Sequence, residues 1–178
     1  MTSTVRATTA GAEPTFAVID VVPLPGGSLR LTFGERYTDV LTLTDARRVD
    51  LSCGDAGHIS VRLAPALLAF PLNLATGEHW TGHSHSAGTD IASTSHITGS
   101  ERVPVGTATY GAYVVETTQT WTGTVHGTVR ERWWVSPQLG VPLRMALDDD
   151  LAGPRATWSA DLTLNVTAVP VKEAAAGP

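Results

Sequence analysis

The chain has 178 residues, 42% hydrophobic and only 16% charged, with 17 acidic residues against 12 basic ones for a net charge of -5. That balance excludes a wholly disordered chain, and 17 Gly with 11 Pro are too few for a collagenous or low-complexity one. There is no run of about 18 apolar residues to span a membrane as a helix, and no Lys/Arg cluster to give a nucleic-acid partner its basic stripe.

Residues 1–14 carry one Arg and no apolar run of the kind a secretory leader needs. They read as an N-terminal tail, and the expected location is cytoplasmic, or exported if the chain is a fragment. Short strand signals then follow at 16–22, 28–33, 37–43, 47–52 and 58–63, with β-branched and aromatic residues alternating with polar ones. Between the first two, Pro25-Gly26-Gly27 is good reversal chemistry, because glycine takes positive φ without a Cβ clash. Pro65 and Pro71 bracket an apolar stretch too short for an independent helix. It reads as an irregular connector, at most a short helical turn near 65–70, that plugs Leu67, Leu68 and Phe70 into a core.

No proline falls between Pro71 and Pro104 or between Pro104 and Pro137, and these gaps hold the longest strand signals, at 78–86, 89–103, 108–122 and 125–135. Two more follow at 141–147 and 156–169, separated by the acidic segment 148–154, which reads as a turn, before a flexible C-terminal tail at 170–178. The expected fold is all-β: one domain over 15–169 built as a single antiparallel meander without crossover helices. Long twisted strands in such a sheet must curl, into a half-barrel, a closed barrel or a sandwich.

Parity assigns the faces. Trp121, Val125, Val129, Trp133 and Val135 share one face, while Thr122, Thr124, His126, Thr128, Arg130 and Arg132 share the other. Glu131 falls on the apolar side. A bulge that turns it outward is the favoured explanation, and a buried carboxylate in need of a partner is the alternative.

Five of the six histidines lie between 79 and 126. If residues 86–89 turn a hairpin, His85 stands opposite Asp90, His83 opposite Ala92 and His79 opposite His96. His83, His85 and Asp90 would then be the candidate ligands of a zinc ion with one open position. The competing reading is a solvated Thr/His face with Trp80, Ile91 and Ile97 turned into the core. It is the stronger one, so neither a metal nor a cofactor is expected. The segment GHSHSAG imitates a hydrolase elbow with Ser84 as nucleophile, but a strand follows where the elbow needs a helix. Cys53 is the single cysteine, so the chain can form no internal disulfide, and it reads as a free turn or core thiol.

The aromatic set suggests a lining. Trp80, Trp121, Trp133, Tyr110 and Tyr113 on the long strands, with Leu68 and Phe70 before them, would either fill a solid core or line a cavity for an apolar ligand. Trp133 and Trp134 are consecutive, so one ring points inward, and the outward Trp134 is a candidate interface residue.

The segments APALLAFPLNLATGEHWTG, GSERVPVGTATYGAYVVET and RERWWVSPQLGVPLRM, within about residues 63–164, resemble a group of poorly characterised bacterial domains of unknown function. Their curved antiparallel sheet is akin to the LolA/LppX-like half-barrel carriers. A bacterial source also fits the eleven Arg to one Lys (Lys172), as in high-GC coding. The resemblance implies a half-barrel that holds acyl chains in its concavity.

The reading that follows is a non-catalytic binder or carrier of an apolar small molecule or lipid. One alternative is a protein-interaction module. Another is a small-barrel cyclase or isomerase acting on an apolar metabolite, for which Glu131 and Glu116 are the candidate catalytic carboxylates. Oligomeric state is open.

Overall fold

Alternating β-branched and polar residues make strands wherever one face can be buried, and twelve strands form among the described residues. A computed structural model describes residues 3–8, 19–33, 37–42, 45–53, 59–154 and 156–166. The strands are β1 (Ser3–Thr8), β2 (Ile19–Leu24), β3 (Ser28–Phe33), β4 (Tyr37–Thr42), β5 (Arg47–Cys53), β6 (Ile59–Leu68), β7 (His79–Ser86), β8 (Thr89–Val105), β9 (Ala108–Gly123), β10 (His126–Ser136), β11 (Val141–Ala152) and β12 (Ala156–Asn165). No helix occurs among the described residues. The order is β1-β12-β11-β10-β9-β8-β7-β6-β5-β4-β3-β2, an antiparallel meander from β2 to β12 that curls until β12 comes back beside β6. This is the expected curled half-barrel.

Three elements differ from expectation. β1 lies inside the supposed N-terminal tail and pairs parallel to β12, Ser3 opposite Ala156; residues 9–14 and 170–178 of the expected tails lie outside the described residues. The stretch 65–68 completes β6 instead of forming a helical turn. The acidic segment is strand as far as Ala152, because pairing with β10 and β12 on both sides overrides the poor strand propensity of Asp148, Asp149 and Asp150.

Turns and bulges set the register. The β7–β8 hairpin turns on Ala87 and Gly88, both at positive φ (43° and 82°), the two-residue geometry whose twist suits antiparallel strands. On β5, Arg48 pairs with Leu67 but Asp50 pairs with Arg62, so residues 63–66 of β6 stand opposite Val49 alone. Pro65, with no N–H for the ladder, sits in that irregularity. A second bulge, between Ile97 and Gly99, reverses the facing of β8 beyond it.

Two apolar clusters result. Inside the curl, Leu31, Leu41, Leu51, Ile59, Leu67 and Phe70 from the first half pack with Ile91, Ile97, Trp121, Trp133, Met145 and Leu147 from the second. On the opposite face, Val103 and Val105, turned over by the Ile97/Gly99 bulge, join Ala112, Val114, Trp134 and Leu143.

Candidate functional site

Cross-strand register places inward side chains in rows. Ile91 and Trp121 lie in one row, and Ile97, Val115, Trp133 and Met145 in another. Between these apolar rows run two polar ones: Ser93, Gln119, Val129 and Asp149, then Ser95, Thr117, Glu131 and Leu147. The interior therefore has a polar waist. Its hydroxyls and amide are tied locally, with Ser95 Oγ 2.9 Å from Thr117 Oγ1 and Trp121 Nε1 donating to Gln119 Oε1 at 2.9 Å.

The opposite wall supplies the charge. Arg48 on β5 donates through Nε to Asp39 Oδ2 at 2.7 Å and through a terminal nitrogen to Glu131 Oε2 at 2.8 Å. All three residues are at most 4% exposed. The guanidinium carbon lies 5.3 Å from the Trp133 ring centroid, and Phe70 stacks at an angle on that indole with centroids 6.2 Å apart. A planar guanidinium suits this position because its fork serves two carboxylates while its face covers an aromatic ring. Desolvation of Asp39 outweighs the attraction of Arg48 and pushes its carboxyl up to about 7.

Glu131 is thus the buried, partnered carboxylate and is not turned outward: the bulge on β10 falls between Trp134 and Val135 instead. Beside Arg48 and Glu131, Ser93, Thr117, Gln119 and Leu67 line a gap of about 10 Å³, room for nothing larger than a water molecule. Side chains fill the curl at this level.

The expected ligand-lining residues divide. Phe70, Trp121 and Trp133 are buried in the interior cluster, with Trp80 and Tyr113 half-buried against it. Trp80 donates to the Leu68 carbonyl at 3.0 Å, and Leu68 is itself half-buried. Tyr110 packs on the opposite face with Val103 and Trp134, because residues three apart on a strand face opposite ways. Trp134 is not an exposed interface ring. It is 5% exposed, lies between Arg132 and Arg144 with their guanidinium carbons 5.9 and 5.2 Å from its centroid, and donates to Glu101 Oε2 at 2.8 Å.

A concavity of about 210 Å³ opens at one end of the curl, where the tips of the β7–β8, β9–β10 and β11–β12 hairpins meet the start of β6. Ile59, Val61, Val125 and Pro154 are its apolar walls, with Ser60, Ser86, Thr89 and Thr124 between them. Thr89 Oγ1 accepts the Val125 N–H at 2.9 Å, which fixes the β9–β10 turn against this mouth.

The convex face carries the remaining candidates. Glu116 is half-buried there, bonded to Arg132 Nε at 2.8 Å and 3.5 Å from His96 Nε2, so the two candidate catalytic carboxylates face opposite sides of the sheet. Arg130 and Asp148 pair at 3.3 Å in the same face, along an open groove of about 280 Å³ floored by Ala146. The histidine hairpin has the expected register, His85 opposite Asp90 and His83 opposite Ala92. His85 Nδ1 lies 2.8 Å from Asp90 Oδ1, both exposed. Among the described residues, no three His, Cys, Asp or Glu are grouped to hold a metal ion. Ser84 is buried, and its Oγ makes no hydrogen bond among the described residues. Cys53 is a buried core thiol whose pKa is raised by burial, with the Asp149 and Glu131 charges adding to it.

Arg48 and Asp39 are the residues that sequence reasoning missed. The inward parity of Glu131 signalled that a buried cation was needed, but the bulge that turns Arg48 inward hid its identity. Comparison with protein-family models, with curated proteins and with solved structures finds no match for this chain.

Proposed function

We propose that the protein is a non-catalytic binder of a small apolar molecule or the end of a lipid chain, taken up at the open end of the half-barrel. The observation that carries this reading is the 210 Å³ concavity with apolar walls at Ile59, Val61, Val125 and Pro154 and hydroxyls between them. Its volume lies just below the usual range of ligand pockets, which favours a ligand of few carbon atoms. Trp121 stands in the inward row behind this mouth. The resemblance to LolA/LppX-like carriers supports the same class of ligand.

The test is a titration with a fluorescent fatty-acid analogue, alongside native mass spectrometry of the purified protein. Saturable binding that weakens at least tenfold in Val125→Trp and Thr124→Trp, with unchanged thermal unfolding, is the expected result. Absence of saturable binding to the wild type, or affinity indifferent to both substitutions, would overturn the reading.

A further inference from the structure

We propose that the Asp39–Arg48–Glu131 cluster is a proton-binding site: it takes up one proton on Asp39 when β4 and β5 dock onto β10, and releasing that proton loosens this docking. The inference is independent of ligand binding at the mouth.

The geometry is unusual for a carboxylate. Asp39 is wholly buried, and its ion-pair partner among the described residues, Arg48, is shared with Glu131. Asp39 Oδ1 makes no hydrogen bond among the described residues. A negative charge in such a place lacks both hydration and a full set of donors, and a neutral carboxyl, which has only its O–H to place, costs much less to bury. The proton belongs on Oδ1, leaving Oδ2 to accept from Arg48 Nε. The other side of the same guanidinium donates to Glu131 Oε2 at 2.8 Å.

The charged groups facing Asp39 are Arg48 on β5 and Glu131 on β10. Cys53 on β5 and Asp149 on β11 are further titratable groups turned into the same interior. Cys53 is held in its neutral thiol form. Asp149, whether ionised or not, brings no positive charge that would favour ionising Asp39. The carboxyl of Asp39 accordingly rises from its ordinary 3.8 to about 7, driven by burial against the pull of Arg48, aided by Glu131 and opposed more weakly by the Val40 backbone N–H.

The consequence has a definite sign. Between the unfolded and folded values the native protein holds a proton that the unfolded chain has lost. Stability from this site is therefore full below about pH 4, falls as pH rises towards 7, and levels off above it. At its steepest the folding constant loses about tenfold per pH unit.

Denaturant unfolding of the full chain from pH 5 to pH 8 tests this, with Asp39→Asn measured in parallel. Relative to the variant, the wild type should lose about tenfold per pH unit from pH 5 up to near pH 7 and then run level. A constant difference between the two proteins across that range would overturn the proposal. Infrared spectroscopy of the native wild type gives a second readout that survives a poorly folding variant. A protonated-carboxyl band present at pH 5.5 and lost by pH 8.5 is expected, and its absence at pH 5.5 would also overturn the proposal.

Discussion

The same strand, β10, carries two kinds of ion pair on its two faces. On the interior face Glu131 meets Arg48, with both side chains at most 4% exposed, while on the convex face Arg132 meets Glu116 with side-chain exposures of 52% and 29%. The chemistry is identical and the separations are similar, but the surroundings differ. Outside, water and salt screen the pair and compete for its hydrogen bonds, so it contributes little. Inside, each partner has lost its hydration, and either one left alone would be an uncompensated charge in an apolar core. The interior pair also joins residues 83 apart in the chain, tying the first half of the sheet to the second. Arg132–Glu116 only laces neighbouring strands.

Substitutions can break this comparison in graded steps. Arg48→Met should have the largest effect, because it leaves Asp39 and Glu131 buried without their shared cation. A loss of about 3–5 kcal/mol in denaturant unfolding is expected. Trp134→Ala should follow at up to about 3–5 kcal/mol, since it empties the centre of the second apolar cluster and removes the ring between Arg132 and Arg144. Its effect should be confined to the convex face, leaving the proton uptake of the Asp39 cluster unchanged in the pH series. Arg132→Ala should cost about 1 kcal/mol or less, in part through packing of its stem on Trp134, and the loss should shrink in high salt. Asp90→Ala, which removes an exposed partner of His85, should fall within about 0.5 kcal/mol of wild type.

The pattern of what the sequence discloses follows from the same two faces. Period-two alternation places β7 through β10 within a few residues, because over most of their length buried inward residues alternate with a polar face rich in Thr, His and Arg. The turn at Ala87-Gly88 made the register of His85 with Asp90 readable as well. Glu131 was marked by its parity, yet its partner was not. Arg48 stands next to Arg47 in a short strand, and only the offset between Arg48 and Asp50 turns the second of these arginines inward. Asp39 sits beside a similar shift between Val40 and Leu41. The second apolar cluster was equally hidden, since the bulge at Ile97/Gly99 sends Val103 and Val105 to the face that alternation from Ile91 would deny them. A bulge changes the phase of every residue after it, and single-sequence alternation carries no signal of where that happens. The pairing of β1 with β12 depends on two ends of the chain meeting, which no local pattern reports.

In this arrangement a buried charge cluster, more than surface pairing, ties the two halves of the curled sheet across the interior. Paired double-mutant cycles test it most directly, one with Arg48→Met and Glu131→Gln and the other with Arg132→Ala and Glu116→Gln. The interior coupling energy should be several times that of the convex pair, whose own value should lie within about 1 kcal/mol. Equal coupling in the two cycles would contradict it.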